Sequence, residues 1–580
     1  GFLLLWLLPP ILRARSSAET RPRSMPCQQS PTKVSCKGLS LQEFPQKLGQ
    51  GIKHLELSNN FIRNLSGSSM AGFEQLEYLD MSFNQLEAVS APTLAQLPRL
   101  RSLLLRSNHL HRNFLANGEA FHQLRNIEVL DLSVNDLQSH MAGWYISNLS
   151  SLRVLDLSGN RLSRLLAGTF RSTARLRRLD LSNNYIVEIQ EGAFEPLQEL
   201  EVVNLALNSI HCISGFSLTQ LRVLNLSHNA LELFSSEEGA QPYLLQVLDL
   251  SHNRLLYFPQ LPKAHDLTHL NLSNNLIASL LPGPHGLEDF VLPYKEMGRF
   301  NRTVHPTLTR VVDLDLSNNR LELLPLTFFH SLGSLHSLRL ARNCLQEVAR
   351  ESLTNSTEPA EPHPAPPQHP ELSVRSLDLH GNALRVLPRW FFHSLPQLER
   401  MDLGSNSLQP CRSQGSDWEG GLEGGSRFAA PGNTCTPFYN VPRLKHLSLR
   451  ENNISRLHPH AFHRTPLLSL DLSGNRDLSM PTGALEGLEF SLQELSLRGN
   501  QLDESRAALP CLGTLRVLDL AGNQLSLLPA GLSCSPLESL DIRNNSLKAL
   551  GTLGSWSHSL REVSLAGNPF SCCSLGWLDS

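Results

Sequence analysis

Two apolar residues separated by a single residue, with an asparagine three positions after the second, recur along most of this chain. The pattern Leu-x-Leu-x-x-Asn, with Val, Met or Ile replacing some leucines, is found twenty times between Leu55 and Asn568. Most steps between successive copies are 21 to 27 residues. That is the period of leucine-rich repeats, and it is too short for ankyrin or helical-pair arrays. In the copy from Arg153 to Leu162, Leu155 and Leu157 share one face of a strand and point inward, while Asp156 points out. Each copy therefore predicts one short strand. Asn160 follows at the turn, where an amide can satisfy backbone groups that no regular ladder reaches, so its recurrence predicts a ladder of asparagines. Phe194 and Leu197, at helical spacing, predict a short helical or 3₁₀ segment returning the chain. One layer cannot bury its own leucines, whereas a stack can. The expected architecture is an α/β solenoid: a curved leucine-rich-repeat horseshoe of about twenty repeats. Its parallel strands line the concave face, and short helical or irregular segments form the convex face.

Three steps break the period: 44 residues from Leu270 to Leu314, 39 from Leu338 to Leu377 and 46 from Met401 to Leu447. They imply inserts near 276–309, 350–372 and 409–440. The middle insert is too rich in proline and the third too rich in glycine to form a layer, while the first has room for a degenerate one. The array is expected over 51–570, with an N-terminal cap at 27–50 and the start of a C-terminal cap at 571–580. A repeat array grows by addition, so 580 residues read as one long domain.

Charge and composition narrow the partners. Fifty basic and 53 acidic residues leave a net charge of −3, so no global field recruits nucleic acid or an anionic membrane. Residues 1–16, with Gly-Phe-Leu-Leu-Leu-Trp-Leu-Leu at their start, read as an incomplete secretory signal. The apolar run of roughly a dozen residues is short for the ~20 that a spanning helix needs. Eight Asn-x-Ser/Thr sequons, at Asn64, Asn148, Asn225, Asn271, Asn301, Asn355, Asn453 and Asn544, agree with export.

In an exported protein most of the ten cysteines should be paired. Cys27 and Cys36 precede the first repeat and are expected to pair in the N-terminal cap. Cys411 and Cys435 bracket the glycine-rich insert, where a disulfide would hold its base. Cys511 and Cys534 are 23 residues apart, one repeat period, which puts them in adjacent layers within bonding reach. Cys572 and Cys573 fall in the truncated C-terminal cap, and their partners are expected beyond Ser580. Cys212 and Cys344 remain. They belong to the seventh and twelfth repeats, roughly 25 to 30 Å apart at about 5 Å per layer, so they cannot bond each other. Both follow the turn asparagine and are expected near one rim of the solenoid. Two readings stay open: unrelated buried thiols, or two exposed thiols awaiting a twofold-symmetric partner.

Other patterns carry less. Aspartate stands between the two strand positions in eleven repeats, including Asp80, Asp131 and Asp519, and reads as a solvated face of the consensus rather than an acidic ligand stripe. His458, His460 and His463 lack the company that a metal site needs. No phosphate loop, nucleophile elbow or paired-carboxylate motif is found, so the sequence does not read as an enzyme, and no cofactor is implied.

Segments such as Asn208–Phe234, "NPFSCCSLGWL" and the "PCQQSPTKVSC" cap, with stretches outside the generic repeat consensus among them, resemble the family of glycoprotein A repetitions predominant and its relative, the negative regulator of reactive oxygen species. These are cell-surface leucine-rich-repeat proteins. The resemblance implies an ectodomain that anchors the latent transforming growth factor beta precursor as a prodomain dimer. It further implies that integrins act indirectly during activation and that a membrane helix is to be expected C-terminal to this chain. It also implies that Cys212 and Cys344, in matching C-I-S-x-F and R-N-C-L contexts, form the disulfides to the prodomains. The interval between Leu338 and Leu377 departs from the family by lacking a repeat. The alternatives on the same scaffold are a Toll-like pattern-recognition ectodomain and an extracellular-matrix repeat protein.

Overall fold

The structure, a computed structural model, describes residues 27–45, 48, 51–237, 241–262, 264–282, 308–325, 332–349, 372–412, 435–550 and 559–570. Every one of the twenty motif copies forms a three-residue strand centred on its first apolar position, from His54–Glu56 to Glu562–Ser564. The strand leucines are the core: Leu155 is 1% and Leu157 0% exposed. The chain divides into two compact units, one of Gly1–Arg161 with Gly168–Leu176, the other of Leu162–Ala167 with Arg177–Ser580.

The first unit opens with an antiparallel pair, Gln28–Gln29 against Lys33–Ser35, and the second strand of that pair joins His54–Glu56 in parallel. Four more strands follow in parallel register, ending at Val154–Asp156. Cys27 is bonded to Cys36, which closes the hairpin over the end of the sheet. This unit also holds three α-helices, Ala91–Ala95, Phe114–Phe121 and Ser139–Ile146. Gly118 is required where two of them meet, because a Cβ there would lie 2.1 Å from Trp144 Cδ1.

The second unit contains fifteen main-sheet strands, Arg178–Asp180 to Glu562–Ser564, in continuous parallel register. Strands flanking each expected insert pair directly: His269–Asn271 with Asp313–Asp315, Ser337–Arg339 with Ser376–Asp378, and Arg400–Asp402 with His446–Ser448. Among the described residues no main-sheet strand separates Leu270 from Leu314, whose strands are direct neighbours. Residues 283–307, 350–371 and 413–434 lie outside the described residues, as do 1–26 and 571–580. Cys411 is bonded to Cys435, and Cys511 to Cys534. The expected helix around Phe194 and Leu197 is instead a run of turns, although Leu197 is fully buried. Gly192 at φ +76° and the missing N–H of Pro196 stop a helix from propagating there.

The asparagines bind the layers together. In the first unit, Asn84 donates from Nδ2 to the carbonyls of Met81 in its own layer and Leu57 in the preceding one, both at 3.0 Å, and accepts the N–H of Ile62 at 3.0 Å. In the second unit, Asn475 donates to Leu472 and Leu449 at 2.7 and 3.1 Å and accepts from Asn452 and Ile454 at 2.9 and 3.0 Å. The aspartates act locally. Oδ1 of Asp80, Asp156, Asp180, Asp249 and Asp471 accepts the N–H two residues on at 2.8 to 2.9 Å. Asn225 and Asn271 take the same position and make the same bond.

Two measurements check these roles. Asn475→Ala strips partners from four buried backbone groups, and is expected to cost on the order of 3 kcal/mol or more in denaturant unfolding. Accelerated amide exchange should centre on residues 449–475, and a cost below about 1 kcal/mol contradicts the ladder's role. Burial raises the Asp378 carboxyl above its ordinary range, and Asp402 and Asp315 add to the rise. The folded state therefore holds that proton more tightly than the unfolded chain, and ionising Asp378 costs stability above the folded pKa. Asp378→Asn keeps an acceptor for the His380 N–H. The variant should melt above the wild type at pH 7, with the gap closing as pH falls through the raised pKa and below the ordinary carboxylate range.

Candidate functional site: two unpaired cysteines

Among the described residues, Cys212 and Cys344 are the unpaired cysteines, and both are exposed. Both lie in the second unit. Their layers are carried by the strands Val202–Asn204 and Ser337–Arg339, separated by five parallel pairing steps. At about 4.8 Å per step this is roughly 24 Å along the stack. That distance forbids a bond between the two.

Local hydrogen bonds hold each thiol on a fixed backbone. Cys344 follows Asn343, whose Nδ2 donates to Leu316 and Leu340 at 3.0 Å and whose Oδ1 accepts from Leu321 at 3.1 Å. The Cys344 N–H itself donates to the Leu321 carbonyl at 2.9 Å. Cys212 comes four residues after Asn208, not immediately after it. It begins the strand Cys212–Phe216, which pairs in parallel with Leu233–Ser236 in a small second sheet. Cys212 therefore corresponds to Glu347 in the layer of Cys344, where Glu347–Ala349 also forms second-sheet pairing. The two thiols leave the same descending segment at different depths. The distal end of the Cys212 strand is pinned: Phe216 is buried beside Phe234 and Tyr243, and the Tyr243 hydroxyl donates to the Phe216 carbonyl at 2.9 Å.

Although the residue is exposed, partial desolvation of its thiol raises the Cys212 pKa, a bond with Ser214 counters the shift, and the Glu232 carboxylate adds to it. Less thiolate is present near neutral pH, so the thiol is a slow nucleophile until a partner aligns with it.

Sequence spacing gave no sign of what surrounds Cys212. Leu207, one residue before the ladder asparagine of the same layer, is 52% exposed and has φ +57°. In the adjoining layer Tyr185 is 65% and Val187 45% exposed. Asn, Ser, His and Gly fill most of the left-handed positions, so a leucine there is a departure that repeat-by-repeat comparison would have exposed. All three are exposed apolar side chains, in the layer of Cys212 and the layer before it.

The sequons take several places. Asn64, Asn148, Asn453 and Asn544 are exposed, while Asn301 and Asn355 lie outside the described residues, as do Cys572 and Cys573. Asn225 and Asn271 stand on the main sheet in layers between those of Cys212 and Cys344. His460 faces Glu486 at 3.6 Å and His463 ring to ring, and no three-ligand metal cluster occurs among the described residues.

The family described as "Leucine rich repeat" matches residues 50–110, 139–186, 174–231 and 436–476. Transforming growth factor beta activator LRRC32 of Mus musculus is 37% identical, over 99% of this chain and 87% of its own. Transforming growth factor beta activator LRRC33 of Danio rerio is 31% identical over 97% and 83%. Among solved structures, YopM from Yersinia enterocolitica superimposes with a TM-score of 0.51 at 22% identity, covering 93% of this chain and 88% of that one, a likeness of fold alone. The chain belongs to the leucine-rich-repeat family that contains the transforming growth factor beta activators LRRC32 and LRRC33.

Proposed function

We propose that this chain is the extracellular part of a non-enzymatic cell-surface anchor that binds, tethers and helps present the latent transforming growth factor beta precursor. The observation that carries the reading is the pair of exposed thiols, held on rigid backbone five layers apart in a chain whose relatives are named activators of that growth factor. A prodomain dimer offers two symmetry-related copies of any cysteine, and two separated acceptors on one receptor suit it. Each bond joins a receptor thiol to a prodomain thiol. The two hydrogens and two electrons pass to a disulfide of the oxidising secretory pathway, which leaves as two thiols. Once one bond has formed, the second closes at high effective concentration. Integrins then act on the presented complex, not on this chain.

Noncovalent docking comes first and orients the partner. Tyr185, Val187 and Leu207, exposed in the layer of Cys212 and the one before it, offer an apolar contact. Glycans on Asn225 and Asn271, whose Oδ1 atoms are already committed to backbone N–H groups, occupy the main sheet between the two cysteine layers. That directs the ligand to the edge where the thiols stand. No helix among the described residues is long and apolar enough to cross a membrane, so anchorage falls to a segment outside them.

Co-expression with the latent precursor and a non-reducing gel test the attachment. Cys212→Ala or Cys344→Ala alone should leave a singly linked complex, and the double variant none, with noncovalent co-precipitation retained. Persistence of a covalent complex in the double variant refutes the assignment. Docking is measured on a Cys212→Ser/Cys344→Ser background. There Tyr185→Ala should weaken affinity by about 1–2 kcal/mol, roughly five- to thirtyfold. Leu207→Asn should weaken it while holding or raising the melting temperature, because asparagine tolerates the left-handed backbone that leucine does not. Unchanged affinity in both variants removes this patch from the interface.

A further inference from the structure

Far along the sequence from these cysteines, the first unit holds a half-open cleft of about 430 Å³. Its form follows from the repeat. Glu77, Arg101, Glu128 and Arg153 stand in one column, because the N–H of each donates to the carbonyl of the one before at 2.8 to 2.9 Å. Two residues upstream, Arg99, Asn126 and Ser151 make a second column. Asn126 Nδ2 donates to the Pro98 carbonyl at 2.8 Å and Ser151 Oγ to the Arg125 carbonyl at 2.9 Å. These short side chains are thus tied to the backbone of the preceding layer and form a floor. Arg99 and Arg175 complete the lining.

The charges do not cancel. Glu128 is shared by Arg101 at 3.1 Å and Arg153 at 3.9 Å. Glu77 pairs with Lys53 at 3.1 Å, outside the cleft. Arg99 and Arg175 form no ion pair among the described residues, although Arg99 lies within the field of Glu77, so the lining carries four guanidinium groups against two carboxylates, an excess of two positive charges. The whole chain carries −3, which makes this excess local.

We propose that this cleft binds a sulfated glycan chain. Guanidinium forks match the oxygens of a sulfate ester bidentately, and Arg99 and Arg175 are free to turn onto one. A half-open trough across successive layers admits a length of linear chain, whereas a small anion would be held by an enclosed pocket. Three disulfides place the protein in an oxidising, extracellular setting, where sulfate esters on glycans are the linear polyanions at hand. Nucleic acid offers the same phosphate-like charge in another class of macromolecule, and the test separates it.

The probe is immobilised heparin, with the full chain titrated over a range of NaCl. Wild type should bind with a salt-dependent affinity, and fully desulfated heparin should not retain it. Arg99→Gln/Arg175→Gln should weaken binding on the order of tenfold near physiological salt and lower the slope of log affinity against log salt by about two. Glu128→Gln, which releases Arg101 and Arg153, should tighten it. Melting of the double arginine variant should match wild type, since neither residue makes an ion pair. Its covalent capture of the latent precursor should also be unchanged, which keeps this test separate from the anchoring function. Binding by the double variant equal to wild type, equal binding to desulfated heparin, or displacement from heparin by less RNA or polyphosphate than by soluble heparin overturns the proposal.

Discussion

The amide of one asparagine per layer is the bond on which this solenoid rests. A parallel stack of three-residue strands leaves unpaired carbonyls and N–H groups wherever the chain turns out of the sheet, and the turn is buried, so water cannot reach them. The ladder asparagine meets both demands. Its Nδ2 takes carbonyls from two successive layers, and its Oδ1 takes an N–H from the layer before, as at Asn84 and Asn475. Each ladder amide therefore needs a layer before its own, and for the first repeat the cap supplies it: Asn60 Nδ2 donates to the Cys36 carbonyl and its Oδ1 accepts the Leu41 N–H, both at 2.9 Å, beside the Cys27–Cys36 hairpin.

This demand leaves few positions for anything else. Leucines are spent on the core, asparagines on the turns, and the strand aspartates on the N–H two residues on. Function is confined to the columns between them. Cys344 occupies the position just after the ladder asparagine, and Cys212 the first position of second-sheet pairing. Neither thiol disturbs the ladder, and both inherit its rigidity. The arginine cleft arises in the same way, from columns on the other side of the strands where any side chain is tolerated.

Rows of the sequence were easier to read than columns. The twenty strands and their spacing were legible because period and alternation lie along the chain, and the same ruler brought Cys511 within one layer of Cys534. The depth of Cys212 was not legible, because the residues after Asn208 carry no alternation that distinguishes a loop from a second-sheet strand. The first long step looked able to hide a layer, yet Leu270 and Leu314 sit on directly paired strands, since an insert can leave and return without a register change. Leu207 and Tyr185 were hidden for another reason: an apolar residue in a leucine-rich sequence reads as core until its layer position is known. The cleft depends on Asn126 and Ser151 being short where Arg99 is long, a contrast between layers some 25 residues apart.

The central claim is that two rigidly held, separated thiols on one receptor capture the two copies of one dimeric ligand. Disulfide-linked peptide mapping of the purified complex with the latent precursor tests it most directly. The account predicts two cross-linked peptides, one containing Cys212 and one Cys344, each joined to the same cysteine position of the prodomain. Finding either thiol free to alkylation in the intact complex, or bonded to another cysteine of this chain, would contradict it.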